Sequence, residues 1–278
     1  MTYLAINPLP FNLDPIEPAR IEAVLHHKLR SIKVIWKEET RSTNTDLLQL
    51  AQEGAPGWTV LGAHTQLTGR GRHQRRWISP SGGLYVSLLL RLGIPESPIT
   101  LIPLTVGLAL QDAIQEEARQ RNGVIQSRLK WPNDVLTPNG KLAGILCEAI
   151  EKDGSWSVIA GVGVNIHPMS EEQKHLILDP VTSLEEEASL DWTRAGLLVA
   201  FLRCMVDRFE QWRMKPEIIR SEWLEASQMQ GQTIAVRSTK PPLHGTVYGL
   251  SEIGGLMLKT EKGMIEINSA ETIEEHHG

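Results

Sequence analysis

The chain has 278 residues, of which 41% are hydrophobic and 22% are charged. These proportions are typical of globular proteins, and the length suffices for one large domain or for a large and a small one. Intrinsically disordered, collagen-like, coiled-coil and disulfide-rich classes are therefore excluded. The net charge of −5 argues against a chain that binds nucleic acid over its whole surface, since such proteins usually carry a basic excess.

Cysteine content and hydropathy indicate where the protein works. Cys147 and Cys204, the two cysteines, lie far apart without metal-binding or redox spacing, which fits a reducing compartment. No apolar run reaches the ~18 residues of a membrane span. The first fifteen residues lack the basic and apolar regions of a signal peptide. We therefore expect a cytoplasmic protein without a membrane partner.

The first part of the chain predicts strands and helices in alternation. In chain order these are an irregular start over 1–14, a short helix over 15–30, a strand over 33–39, a helix over 43–54, a strand over 58–66, a loop over 68–83, a strand over 84–92 and a helix over 101–121. Ser42 or Thr43 is the expected N-cap of the second helix, which is expected to end at Gly54. The segment before the first strand is shorter than the ~50 residues of a usual domain, so no separate N-terminal domain is expected.

The second part predicts strands, then helices, then a small barrel. The patterns indicate three strands within 127–166 with turns at 138–140 and 153–155, a loop and weak helix over 169–190, a long helix over 191–215 with Asp191 as N-cap, and a further helix over 217–229. From Gly231 onward, short alternating runs are separated by turn residues, which is typical of an antiparallel barrel of about five strands. This change predicts a domain boundary near residue 229.

A basic loop stands out in an otherwise acidic chain. It contains Arg70, Arg72, Arg75 and Arg76, with Gly69 and Gly71 among them. Guanidinium groups bind carboxylates and phosphates through paired hydrogen bonds, and glycine lets the backbone approach a ligand closely. The loop is therefore predicted to hold two anions side by side, with a solvated basic loop as the alternative. The glycine spacings of a dinucleotide fingerprint and of a Walker A loop are both missing.

A second cluster contains Lys130, Asn133, Asp134 and Lys141. These residue types are suited to a nucleotide and metal site, in which lysine contacts phosphate, asparagine contacts a base edge and aspartate binds Mg²⁺. The alternative is a surface hairpin with charged tips, because Trp131-Pro132 and Asn133-Asp134 are also common in turns.

Five segments carry a resemblance to a known family. They are RSTN at 41–44, Gln66 with TGRGRHQRRW at 68–77, KWPNDV at 130–135, KLAGIL at 141–146 and GVGVNI at 161–166. In this order and spacing, over residues 36–271, they resemble the biotin protein ligases. The resemblance implies an α/β (α+β) fold, with a catalytic domain over 1–229 and a small SH3-like β-barrel over 230–278. The catalytic domain would contain a mixed β-sheet related to class II aminoacyl-tRNA synthetases.

The resemblance also implies an activity. An ATP-dependent and Mg²⁺-dependent ligase of this family forms biotinyl-5′-AMP from biotin and ATP. It then transfers biotin to a lysine of a biotin carboxyl carrier domain, such as that of acetyl-CoA carboxylase. Relatives occur as monomers and dimers, so a homodimer stays open. Some relatives carry an N-terminal winged helix for DNA binding, which this chain is not expected to have.

The resemblance assigns roles to individual residues. Arg72, Lys141 and Asp134 are implied to be catalytic, with Asp134 also as the Mg²⁺ ligand. The implied biotin-binding residues are Ser42, Thr43, Asn44, Gln66, Gly69, Arg70, Gly71, Arg72, Lys141, Gly144, Gly161 and Gly163. The implied ATP-binding residues are Arg72, Arg75, Trp77, Lys130, Asn133 and Asn165. The chain departs from the family at Gln74, where the family loop often has glycine.

Three other functions are weighed against biotin ligation. A lipoate or octanoate ligase or transferase is disfavoured because its usual consecutive glycines are not found here. A non-catalytic sensor of biotin or adenylate is disfavoured because Arg72, Lys141 and Asp134 are all present. A nucleic-acid binder is disfavoured by the net charge of −5.

Overall fold

A computed structural model describes residues 16–29, 31–236, 242–268 and 273–275. Its larger sheet contains β1 Lys33–Thr40, β2 Thr59–Gln66, β3 Gly83–Gly93, β4 Arg128–Lys130, β5 Asp134–Thr137, β6 Gly140–Lys152 and β7 Ser155–Asn165. The strand order is β1-β2-β3-β7-β6-β5-β4. β1 and β2 are parallel and all other neighbours are antiparallel, so the sheet is mixed, as predicted. The predicted irregular start over 1–14 lies outside the described residues.

Helices cover both faces of this sheet. They are α1 Pro18–Leu25, α2 Thr43–Gln52, α3 Ile102–Gln120, α4 Glu171–Lys174, α5 Leu184–Glu187, α6 Arg194–Met214 and α7 Pro216–Ser227. Side chains alternate between faces along a strand. Leu88 and Ala160 accordingly join the main core with α3 and α6, whereas Leu89 and Ile159 pack with Leu47 of α2 on the other face. α2 is thereby placed against the centre of the sheet.

A second sheet follows α7. It contains β8 Thr233–Val236, β9 Leu243–Leu250, β10 Leu256–Thr260, β11 Gly263–Ile267 and β12 Ile273–Glu275, in the order β11-β10-β9-β8-β12 with antiparallel neighbours throughout. The expectation of a small antiparallel C-terminal unit is confirmed. The Trp131 indole donates to the backbone oxygen of Gly254 at 3.0 Å, so the turn before β10 contacts the larger sheet. The domain boundary near residue 229 stays a prediction.

Three local predictions were wrong. Asp191 is not the N-cap of the long helix, because Thr193 caps α6 and its hydroxyl accepts a hydrogen bond from the backbone of Gly196 at 3.1 Å. Residues 127–166 form four strands rather than three, because a turn over 131–133 separates β4 from β5. Ser42 is the N-cap of α2, as one of the two predicted alternatives stated, and α2 ends at Gln52 rather than at Gly54.

Within the part of the chain that the structure describes, no helix combines the length and apolar character that crossing a membrane requires.

Candidate active site

A cavity of about 580 Å³ opens over the centre of the larger sheet. Its floor is formed by β6 and β7. Its walls are formed by the N-terminus of α2, by the turn before β5 and by the basic loop that carries Arg70, Arg72, Arg75 and Arg76, called the arginine loop below. All the predicted site residues except Gly69 line it: Ser42, Thr43, Asn44, Gln66, Arg70, Gly71, Arg72, Arg75, Trp77, Lys130, Asn133, Asp134, Lys141, Gly144, Gly161, Gly163 and Asn165. Segments far apart in the sequence therefore converge on one site.

Gly69 is not among the residues that line the cavity. A Cβ added there would overlap the backbone oxygen of Trp77 and lie 2.7 Å from the Ser79 hydroxyl. The backbone of Trp77 also donates to the oxygen of Gly69 at 2.9 Å. The structure thus explains the glycine by close packing inside the loop. Its assignment to biotin binding stays a prediction.

A buried hydrogen-bond network fixes the part of the cavity wall around Thr43, Asn44 and Gln66. The backbone of Thr43 donates to Oε1 of Gln66 at 2.9 Å, so the opposite amide atom of Gln66 is its NH₂ group, which donates to Ser79 at 2.9 Å. The Ser87 hydroxyl donates to Oδ1 of Asn44 at 2.6 Å and lies 2.8 Å from the Thr43 hydroxyl. Because these groups are already bonded to one another, their orientation is set before a ligand binds.

Positively charged side chains also line the cavity. Lys141 Nζ lies 2.7 Å from Asp134 Oδ1, an ion pair rather than a well-aligned hydrogen bond, and 5.3 Å from the centroid of the Trp77 ring. Burial lowers the pKa of the Arg72 guanidinium below its ordinary value, and the charge of Asp134 opposes that shift. An anionic ligand in the cavity would be attracted by the charges of both Arg72 and Lys141.

The Trp77 indole covers the floor at two glycines. A Cβ at Gly144 would lie 2.9 Å from the ring, and a Cβ at Gly163 would lie 2.6 Å from its Nε1. Trp77 Nε1 and Oδ1 of Asn165 are both buried without a hydrogen-bond partner among the described atoms. Since buried polar groups are normally paired, this unsatisfied donor and acceptor mark the site as a candidate for binding a polar ligand.

The arginine loop adopts an unusual backbone. His73 and Gln74 both lie in the left-handed region, with φ of 51° and 61°. A non-glycine residue costs roughly 1–2 kcal/mol in that region. This explains physically why glycine would be favoured at position 74, and Gln74 keeps the loop conformation at that cost. The Gly71 backbone closes the loop by donating to the oxygen of Arg75 at 2.7 Å.

Several residues of the site were missed by sequence reasoning. Residues 176–179 and Val181 form a further wall of the cavity, held where the backbone of Lys141 donates to the oxygen of Pro180 at 2.8 Å. No motif marks this wall. Ser87 and Glu148 bond to Asn44 from β3 and β6, and the only signal for Ser87 is a polar residue inside an apolar strand.

Comparisons with known proteins find two matching family models and similar relatives. Residues 36–165 match the Biotin/lipoate A/B protein ligase family, and residues 230–272 match the Biotin protein ligase C terminal domain. The Bifunctional ligase/repressor BirA of Bacillus subtilis (strain 168) is 32% identical over 241 residues, which are 86% of this chain and 73% of the relative. The Biotin--[acetyl-CoA-carboxylase] ligase of Mycobacterium tuberculosis is 32% identical over 232 residues, 80% of this chain and 83% of the relative.

A solved structure is also similar over almost its whole length. It is the biotin protein ligase from Aquifex aeolicus in complex with biotin and ATP, with 32% sequence identity and a TM-score of 0.72. The match covers 87% of this chain and 99% of that chain.

Proposed function

The chain belongs to the biotin/lipoate A/B protein ligase family, and we propose that its cavity forms biotinyl-5′-AMP and passes the biotinyl group to a lysine of a carrier domain. The observation that carries this proposal is the set of groups that one cavity brings together. They are the bonded polar network of Thr43, Asn44 and Gln66, the cations Arg72 and Lys141, and the unpartnered Trp77 N–H and Asn165 oxygen. This set suits a polar ring, an acyl phosphate and an adenine.

The first step is attack of the biotin carboxylate on the α-phosphate of ATP, with pyrophosphate as the leaving group. Two unit charges at ~4 Å repel by about 4 kcal/mol at an effective dielectric constant of about 20. Arg72 and Lys141, which both line the cavity, would offset this repulsion and stabilise the charge of the transition state. Arg70, which also lines the cavity, would contact the carboxylate of biotin.

Asp134 fits the Mg²⁺ that ATP normally carries. It is a carboxylate of the cavity wall, and Mg²⁺ needs only one or two carboxylates in addition to water and substrate phosphates. No group of three or more His, Cys, Asp and Glu suited to a metal occurs in the described ranges, which fits an ion that arrives with the nucleotide. When bound, Mg²⁺ would neutralise part of the phosphate charge.

In the second step a lysine amine of the carrier domain attacks the acyl carbon, and AMP leaves. A lysine at its reference pKa of ~10.4 is under ~0.1% neutral at pH 7, so a nearby base would speed the step. We propose Asp134 for this role as an alternative to the metal role. If Asp134→Asn leaves transfer from preformed adenylate intact while slowing adenylate formation, the metal role is correct and the base role is wrong.

Pyrophosphate–ATP exchange with Mg²⁺ tests the proposed function. The exchange is measured in parallel with biotin, lipoate, octanoate and no acid. We expect exchange with biotin alone, because residues 230–272 match the Biotin protein ligase C terminal domain. Exchange with lipoate or octanoate would instead support the lipoyl branch, and binding of biotin without exchange would support the sensor.

We further propose a biotin carboxyl carrier domain as the acceptor, a cytoplasmic location and no DNA binding. The acceptor is supported by the similarity to biotin--[acetyl-CoA-carboxylase] ligases. The location is supported by Cys147 and Cys204, which are free thiols. The absence of DNA binding is supported by the net charge of −5, and a filter-binding assay over a range of salt concentrations tests it.

A further inference from the structure

Glu148 on β6 joins two elements of the cavity that it does not itself line. Its Oε2 accepts a hydrogen bond from Nδ2 of Asn44 at 2.8 Å and forms an ion pair with Nη2 of Arg70 at 2.6 Å. The side chain of Glu148 is 29% exposed, so the pair is only partly screened by water. One carboxylate oxygen thus connects the N-terminus of α2 with the arginine loop.

The bond from Asn44 determines which way its amide faces. Nδ2 lies next to two groups that can only accept, the carboxylate of Glu148 and the backbone oxygen of Leu146 at 3.1 Å. The NH₂ group must therefore point to these acceptors. Oδ1 then accepts from Ser87 at 2.6 Å and keeps one lone pair available. Without Glu148, one of the two interactions that set this orientation is lost.

The bond from Arg70 determines where the guanidinium lies. Arg70 is on a loop and its side chain is 42% exposed, so on its own it would sample many rotamers. The ion pair with Glu148 restricts these rotamers while Arg70 also lines the cavity. An anion that enters the cavity therefore meets an arginine that is already in place.

We propose that Glu148 is a positioning residue for the acid substrate, which acts by holding Asn44 and Arg70 in their binding orientations. This inference rests on the proposed function in that biotin is taken as the acid. Glu148 does not contact the reacting atoms. Its removal is expected to weaken binding of the acid and to leave binding of ATP nearly unchanged.

The test compares Glu148→Ala and Glu148→Gln with wild type. The KM values for biotin and for ATP are measured in pyrophosphate exchange, and the Kd for biotin is measured by calorimetry without ATP. We expect Glu148→Ala to raise the KM and the Kd for biotin about tenfold and to change the KM for ATP by less than about twofold. Glu148→Gln, which keeps an acceptor for Asn44 but loses the charge, is expected to lie between wild type and Glu148→Ala.

Glu151→Gln is the matched control. It removes the same charge from the same strand, and the bond from the Gly154 backbone to Oε1 of Glu151 can be kept by glutamine. No change in either KM is expected. Glu148→Gln has nearly the size of the native side chain, so it carries the test alone if Glu148→Ala does not fold.

A double-mutant comparison separates positioning from a merely structural role. In a protein that already carries Arg70→Ala, the effect of Glu148→Ala on the Kd for biotin is expected to shrink, because one of its two partners is gone. Equal effects in both backgrounds, or equal changes in the KM for biotin and for ATP, would overturn the proposal. Lack of any exchange by the wild-type protein would overturn the proposed function instead, so the two failures are distinguishable.

Discussion

Adding one methyl group at each of two glycines on β7 should affect two different side chains of the cavity separately. Gly161 and Gly163 are two residues apart on one strand and face the same side of the sheet. A Cβ at Gly161 would overlap Oδ1 of Asn44 and lie 2.9 Å from its Cγ. A Cβ at Gly163 would lie 2.6 Å from Nε1 of Trp77. Each substitution therefore pushes on a different side chain.

The resistance of these two side chains differs. Asn44 is 4% exposed and bonded to Ser87, Leu146 and Glu148, so it cannot move without losing hydrogen bonds. A neutral hydrogen bond is worth about 1 kcal/mol net and one to a charged group about 2 kcal/mol. We therefore expect Gly161→Ala to lower the free energy of unfolding by about 2–3 kcal/mol and to raise the KM for biotin about tenfold.

Trp77 can move at lower cost. Its indole N–H has no hydrogen-bond partner among the described atoms, so the ring can rotate without breaking a bond there. Gly163→Ala is expected to lower the free energy of unfolding by only about 1 kcal/mol and to raise the KM for ATP rather than for biotin. Urea unfolding and pyrophosphate exchange with each substrate varied give all four quantities. Equal losses of stability together with a rise in the same KM for both variants would refute this reasoning.

Three other substitutions test separate parts of the molecule. Gly107→Ala in α3 is expected to raise the free energy of unfolding by about 0.5–1 kcal/mol, because alanine favours a helix more than glycine does. The added Cβ would lie at an ordinary contact distance of 3.6 Å from its nearest neighbours. A lower thermal midpoint than that of wild type would contradict this prediction. Arg72→Gly is expected to release adenylate about tenfold faster in stopped flow, since the cation that we propose to hold the phosphate is lost. A rate equal to wild type would show that Arg72 does not retain it. Burial raises the pKa of Glu117 above its ordinary value, and the charge of Arg121 offsets this only in part, so the folded state holds this proton more tightly than the unfolded chain does. The free energy of unfolding is therefore expected to fall as pH rises from the ordinary glutamate pKa through the raised one. Measured by urea unfolding from about pH 4 to about pH 7, this fall should be smaller in Glu117→Gln than in wild type.

Much of the local structure was predictable from the sequence, because it depends on neighbours in the chain. Hydrophobic periodicity predicted α2, α3 and α6, and turn residues predicted the hairpins after β5 and β6. The cap of α6 was predicted two residues early, since Asp191 and Thr193 are both good caps and only the path of the preceding chain selects between them. Likewise, the turn over 131–133 was not expected to interrupt a strand.

The motif residues identified the family, and the comparisons confirm that resemblance. A motif shows which residues share a chemistry, but not which groups orient them. Glu148 lies 104 residues from Asn44 and 78 from Arg70, so no local pattern links the three. No sequence motif marks the wall at 176–179 either. Its apolar side chains line the cavity because the following Pro180 is held by a hydrogen bond from the backbone of Lys141, which is distant in the chain.

The sequence by itself therefore determined the family, the chemistry of the main site residues and most of the helices and strands. The tertiary structure alone decided that β7 lies between β3 and β6, which brings the glycines of β7 under Asn44 and Trp77. It also decided which way the amides of Asn44 and Gln66 face. The physical reason is that strand order and buried hydrogen bonds depend on partners distant in the chain, whereas periodicity, capping and turns depend on residues a few positions away.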